Sequence, residues 1–218
     1  MLPQDQNNLT PEQLQELATM QEWHEAGAII IPLNGKYIDD YSQVPAADYE
    51  RWKIPLGSWK GNREELYQKA VARYKSHRHW IGLVPGSVGL VCFDIDAGDH
   101  HVIADLLAQY KIPCTIVQTK RGWHIFAKAD GWPSGNFTWE FAGAKGDIRF
   151  DKGYVVVWDI LAIKRQLINT KSVVGAGEQI ANMLKGAKQK GMFDPPAPTT
   201  DFVLISCRLI ARISQTTT

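Results

Sequence analysis

The run VGLVCFDID at residues 88–96 leaves the chain few architectures. Its first five residues carry no polar side chain, and so short and apolar a run reads as a buried strand. A strand of this kind needs layers packed against it. It ends in Asp94 and Asp96. Because strand side chains alternate, these two carboxylates share one face, while Phe93 and Ile95 enter the opposite layer. Neighbouring carboxylates repel unless something positive lies between them, and an oxygen-seeking divalent cation is the usual solution. The alternative is a pair of solvated aspartates at a strand end.

Around this strand the pattern predicts mixed helices and strands. Thr10, Pro11 and Gln13 form a helix-start signal ahead of a helix over 11–25, with Gly27 as its stop. AIIIPL (28–33) predicts a strand entering a turn at Asn34-Gly35. Residues 36–61, with two prolines, two glycines, Trp52 and Trp59, read as a long ordered loop. Asn62 and Glu65 open a helix over 63–76, whose apolar face is Leu66, Ala70, Val71 and Tyr74. IGLV (81–84) and the 88–96 run read as a strand pair joined by a tight Pro85-Gly86-Ser87 loop. Asp99 caps a helix reaching Tyr110. CTIVQT (114–119) and WHIFAK (123–128) predict a hairpin, strands follow at 137–142, 146–150 and 153–158, and a helix spans 178–189. Strands through the centre with helices before and between them give an α+β fold on an antiparallel or mixed sheet. Residues 1–192 read as one catalytic domain, 193–200 (with DPPAPTT) as a linker, and 201–218 as a C-terminal helix or the remnant of a longer protein.

Charge narrows the function. Lys plus Arg (24) nearly balances Asp plus Glu (23), which excludes a uniformly basic nucleic-acid coat. The balance hides segregation. Residues 1–50 hold one base and nine acids, 51–80 hold eight bases and two acids, and 81–110 hold four acids and no Lys or Arg. A carboxylate cluster between basic segments suits a metal site that handles polyanions. Cys92, Cys114 and Cys207 are too few for a disulfide framework or a four-thiolate zinc site. The first 25 residues contain no apolar run, and no stretch approaches the ~20 apolar residues that cross a bilayer. A cytoplasmic protein without a membrane partner is therefore expected.

Two further segments join the aspartate pair. In GDIRF (146–150) Asp147 and Arg149 share a face, offering a third carboxylate beside a guanidinium suited to phosphate oxygens. In TKRGWHIF (119–126) Lys120, Arg121 and the backbone N–H groups near Gly122 could cradle phosphate, and His124 could donate to a phosphate oxygen. His77 and His79 have a spacing possible for a metal but no acidic or thiol neighbour. The three segments together ask for metal-dependent phosphoryl transfer.

The order of these motifs resembles the archaeo-eukaryotic primase superfamily, specifically the bifunctional primase/polymerase (prim-pol) domain of bacteria, phages and mobile elements. FDID is similar to its Asp-x-Asp motif, RGWHIF to its Gly/Ser-x-His motif, and GDIRFDKGYVVVW to its third motif, an Asp before a hairpin. GAIIIPLNGK, Trp59-Lys60 and IGLVPG also resemble its N-terminal part. The likeness spans roughly 26–160. It implies an RRM-like sheet paired with an N-terminal α/β unit, the active site lying in the cleft between them. It further implies that Asp94, Asp96 and Asp147 bind two Mg2+ or Mn2+ ions and that His124, Lys120, Arg121 and Arg149 meet the triphosphate of a dNTP or NTP. Lys53, Lys60, Arg63 and Arg73 then become candidates for DNA template and primer contacts, with Trp59 (and Trp52) able to stack on bases. A helicase or another replication or mobile-element protein is the implied partner. Two rivals share the same residues: a metal-dependent nuclease, and a non-catalytic single-stranded nucleic-acid-binding module.

Overall fold

The computed structural model describes residues 9–38, 44–128, 130–158, 160–169 and 175–190. The expected linker and C-terminal segment, with Cys207, lie outside them. Helix α1 (Pro11–Glu25) begins at the expected box: the Thr10 side chain accepts from the Gln13 N–H while Gln13 accepts from the Thr10 N–H. Strand β1 (Ile30–Lys36), helix α2 (Ala46–Trp52), helix α3 (Arg63–His77) and strand β2 (His79–Leu83) follow. The Asn62 side chain accepts from the Glu64 and Glu65 N–H groups and fixes the start of α3. Next come β3 (Val91–Ala97), α4 (His101–Gln109), β4 (Cys114–Gln118) and β5 (Trp123–Ala127). The described chain closes with β6 (Phe137–Phe141), β7 (Ala144–Arg149), β8 (Val155–Val156), α5 (Ile160–Asn169) and α6 (Ala176–Lys190).

The fold is α+β, and among the described residues all strand pairs are antiparallel. A small sheet has the order β1-β2-β8, and a larger one the order β4-β5-β3-β7-β6. The 88–96 run supplies the middle strand of the larger sheet. One of its faces (Phe93, Ile95) packs with Ile103 and Leu107 of α4 and Ile180 and Leu184 of α6. The other (Cys92, with Phe126 of β5) meets a second core that holds Met20 of α1, Tyr74 of α3, Ile81 of β2 and Ile163 of α5. A third core, with Tyr49 of α2, lies on the opposite face of the small sheet against Ile31, Leu33 and Trp80.

Four local expectations are corrected. Asn34-Gly35 is no turn: β1 runs through it to Lys36 with an irregular register, and a Cβ on Gly35 would sit 2.4 Å from the Trp80 ring. The 36–61 segment contains α2, and α5 occupies a stretch with no expected helix. β2 and β3 do not pair, because the 3-10 turn Pro85–Val88 carries the chain from one sheet to the other. Likewise 151–153 joins β7 to β8, which lie in different sheets, while β7 makes its hairpin with β6.

Candidate active site

Strand register assembles the site. Asp94 on β3 stands opposite His124 of β5 on one side and Asp147 of β7 on the other. Directly opposed antiparallel residues share a face, with Cβ atoms about 4.5–5.5 Å apart. One row across three strands therefore carries imidazole, carboxylate and carboxylate. Asp96 follows at an irregularity in the β3–β7 register and lines the same cleft as Asp94. Close approach to β3 depends on two missing side chains: a Cβ on Gly122 would lie 1.9 Å from the Ile95 carbonyl oxygen, and one on Gly146 1.9 Å from that of Asp94.

The charges within this row are unequally compensated. His124, 5% exposed, places Nε2 3.3 Å from Asp94 Oδ1, and among the described residues its buried Nδ1 has no hydrogen-bond partner. Asp147 pairs with Arg149. Among the described residues Asp96 has no such partner. Burial pushes the Asp94 carboxyl up, but the His124 hydrogen bond and charge, with Arg149 and Lys53, outweigh it and hold the group below its ordinary value. For Asp96, burial and the negative charges of Asp94 and Asp147 act together, and its carboxyl is raised. Three carboxylates with two compensated leave the site short of positive charge.

The cleft above the row has a volume of about 460 Å³. Asp94, Asp96 and His124 line it, as do Arg149, Lys152 and Asn136. Another part of its wall comes from α2, whose Tyr49 is 2% exposed, edge-on to Trp80 and stacked with Trp158. Over the Tyr49 ring lie Lys53 at 4.8 Å, Lys120 at 4.7 Å and Arg121 at 5.1 Å. Glu50 pairs with Arg121 at 2.7 Å and Lys53 at 3.5 Å.

The expected phosphate residues divide. Arg121, Gly122, His124 and Arg149 line the cleft. Lys120 reaches the Val44 carbonyl at 3.2 Å. The backbone cradle is corrected: the N–H groups of Arg121 and Gly122 both donate to Thr119 Oγ1, so the hairpin presents side chains to the cleft. Among the candidate template residues, Lys53 and Trp59 line the cleft, and Lys60 lies over the Trp59 ring at 5.7 Å. Trp52 packs edge-on to Trp80. Arg63 donates to the His24 carbonyl, and Arg73 is exposed on α3. Helices α3 and α2 pack on opposite faces of the small sheet, which separates those two arginines from the α2 wall.

Sequence reading passed over Tyr49, Glu50, Asn136, Lys152, Tyr154 and Trp158, all of which line the cleft. The Glu50–Lys53 spacing of three, a helical ion-pair signal, could have pointed to α2. His79 is a core residue whose Nδ1 meets the Leu33 carbonyl at 3.0 Å. At the start of α4, ligating atoms of Asp99, His100 and His101 lie within 4.8 Å of one another. This group lies outside the cleft lining, and among the described residues the ligating atoms of Asp94, Asp96 and Asp147 do not all come within that distance of one another.

A family model described as "Bifunctional DNA primase/polymerase, N-terminal" matches residues 6–162, a span that includes Asp94, Asp96, His124 and Asp147. No curated protein matches the chain. Among the described residues no helix is long and apolar enough to cross a membrane.

Proposed function

This chain belongs to the bifunctional DNA primase/polymerase family, and from that membership we propose that the cleft is the centre of a template-dependent nucleotidyltransferase. The observation that carries this reading is the row of Asp147, Asp94 and His124 across β7, β3 and β5, with Asp96 beside it. The donor set fits hard divalent cations: carboxylate oxygens in a polar cleft, one of them uncompensated, suit Mg2+ or Mn2+. Asp94, Asp96 and Asp147 would hold two such ions, which when bound stabilise the attacking and leaving oxygens of an in-line displacement.

The chain's own residues supply positioning. His124 orients Asp94 through Nε2, and a change of ring position on substrate binding would bring it to the triphosphate of the incoming dNTP or NTP. Arg149 and Arg121 are the guanidinium groups placed to meet phosphate oxygens, with Lys120 and the Gly122 turn supporting that hairpin. Trp59 and Tyr154, 6.0 Å apart at their ring centroids, offer apolar surface to a base. Lys53, Lys60 and, further away, Arg63 and Arg73 are the groups proposed to meet the template and primer backbone.

The test is a template-directed assay with and without primer, using dNTPs and NTPs and either Mg2+ or Mn2+. Extension with pyrophosphate release is expected. Degradation of labelled DNA without nucleotides would instead identify a nuclease. DNA binding without incorporation under any of these conditions would identify a non-catalytic binding module.

A further inference from the structure

We propose that Glu50 is an internal counter-ion of the nucleotide subsite, holding the place of a phosphate until a nucleoside triphosphate displaces it. The inference rests on the nucleotidyltransferase reading of the cleft. Three cations, Lys53, Lys120 and Arg121, gather on the single ring of Tyr49, and that ring packs against both Trp80 and Trp158, which also touch each other. Like charges held that close need a negative partner. Among the described residues Glu50 pairs with two of them, at 2.7 Å from the Arg121 guanidinium and 3.5 Å from the Lys53 ammonium. A guanidinium donates to carboxylate and phosphate oxygens in the same planar geometry, so the two anions compete for one place.

The pair is built to be exchanged. The Glu50 side chain is 53% exposed and that of Arg121 50%. Exposed ion pairs contribute little and are screened by salt. A triphosphate carries more charge than one carboxylate and would take Arg121 from Glu50 at small cost, leaving Lys53 to the template and primer backbone. Glu50 would then face the phosphates as a like charge. It holds the two cations in place before substrate arrives and sets a threshold that weakly charged anions do not pass.

Calorimetric titration of the protein with dATP and with ATP, each with and without Mg2+, tests this on wild type, Glu50→Gln and Glu50→Asp, after melting curves establish that all three fold. Removing the carboxylate should tighten triphosphate binding about five-fold at low salt, expressed as a lower KM in the extension assay. The gain should shrink to less than about two-fold in 0.5 M salt. Glu50→Asp should bind close to wild type. Equal or weaker binding by Glu50→Gln, or a gain that salt does not touch, would overturn the inference and leave the reading of the cleft standing. Absence of binding in all three proteins would overturn both.

Discussion

Asp96 pays the clearest electrostatic cost in the cleft, because burial and two neighbouring carboxylates all disfavour its charged form. A carboxyl raised in the folded state retains its proton over a window where the unfolded chain has already lost it. Stability contributed by that proton is therefore present at low pH and lost as pH rises through the raised value. In the absence of divalent cations, Asp96→Asn should flatten this part of the stability–pH curve and raise the melting temperature at neutral pH. Adding Mn2+ should raise the melting temperature of wild type and have little effect on the variant; equal shifts in both would remove Asp96 from the ligand set. Gly122 makes a steric claim at the same scale. A methyl group 1.9 Å from the Ile95 carbonyl oxygen forces β5 away from β3, so Gly122→Ala should cost on the order of 1–3 kcal/mol and misplace His124. Denaturant unfolding measures the first effect, and nucleotide incorporation the second.

Element by element, the helix-start signals survived folding, the Asn34-Gly35 turn signal did not, and long-range pairings were absent from the sequence. Asn62 accepts from two backbone N–H groups at the start of α3, and Asn62→Ala should cost about 1 kcal/mol in chemical denaturation. Thr10 and Gln13 form their box because every atom involved lies within one turn. Shared faces were equally legible, since alternation along one strand sets Asp94 beside Asp96 and Asp147 beside Arg149. What the pattern did not contain is which strand lies beside which. The Pro85–Val88 turn reads as a hairpin signal, yet turn chemistry bends the chain without choosing the sheet that the next strand joins. Helix α2 has seven residues, starts at Pro45 without a side-chain cap and buries Tyr49 alone, so no repeating apolar face announces it. Helix α5 follows Val155-Val156-Val157 almost directly, and the apolar run hides the change of period from two to 3.6. The α2 wall, with Glu50 and the Tyr49 ring, was consequently marked by nothing stronger than the Glu50–Lys53 spacing, while the aspartates and His124 could be named.

Across the whole molecule, two antiparallel sheets share a core, and the cleft is lined both by Asp94, Asp96 and His124 of the larger sheet and by α2 and β8 of the smaller assembly. Its cationic rim predicts that affinity for single-stranded DNA falls as salt rises, with a log–log slope near −0.7 per phosphate neutralised. Replacing Lys53 and Lys60 together by Ala should make that slope shallower by about 1.4. An unchanged slope, measured by fluorescence anisotropy, would place the DNA elsewhere. Nucleotidyl transfer as proposed requires Asp94, Asp96 and Asp147 to act as one centre, although they come from two strands whose adjacency no local pattern encodes. The most direct measurement is single-turnover nucleotide incorporation by Asp94→Asn, Asp147→Asn and the double variant. Each single change should lower the rate on the order of 100-fold or more, and the double variant should be little worse than either, because residues that act as a unit do not add. Wild-type incorporation by Asp147→Asn would contradict the shared centre, as would losses that multiply in the double variant.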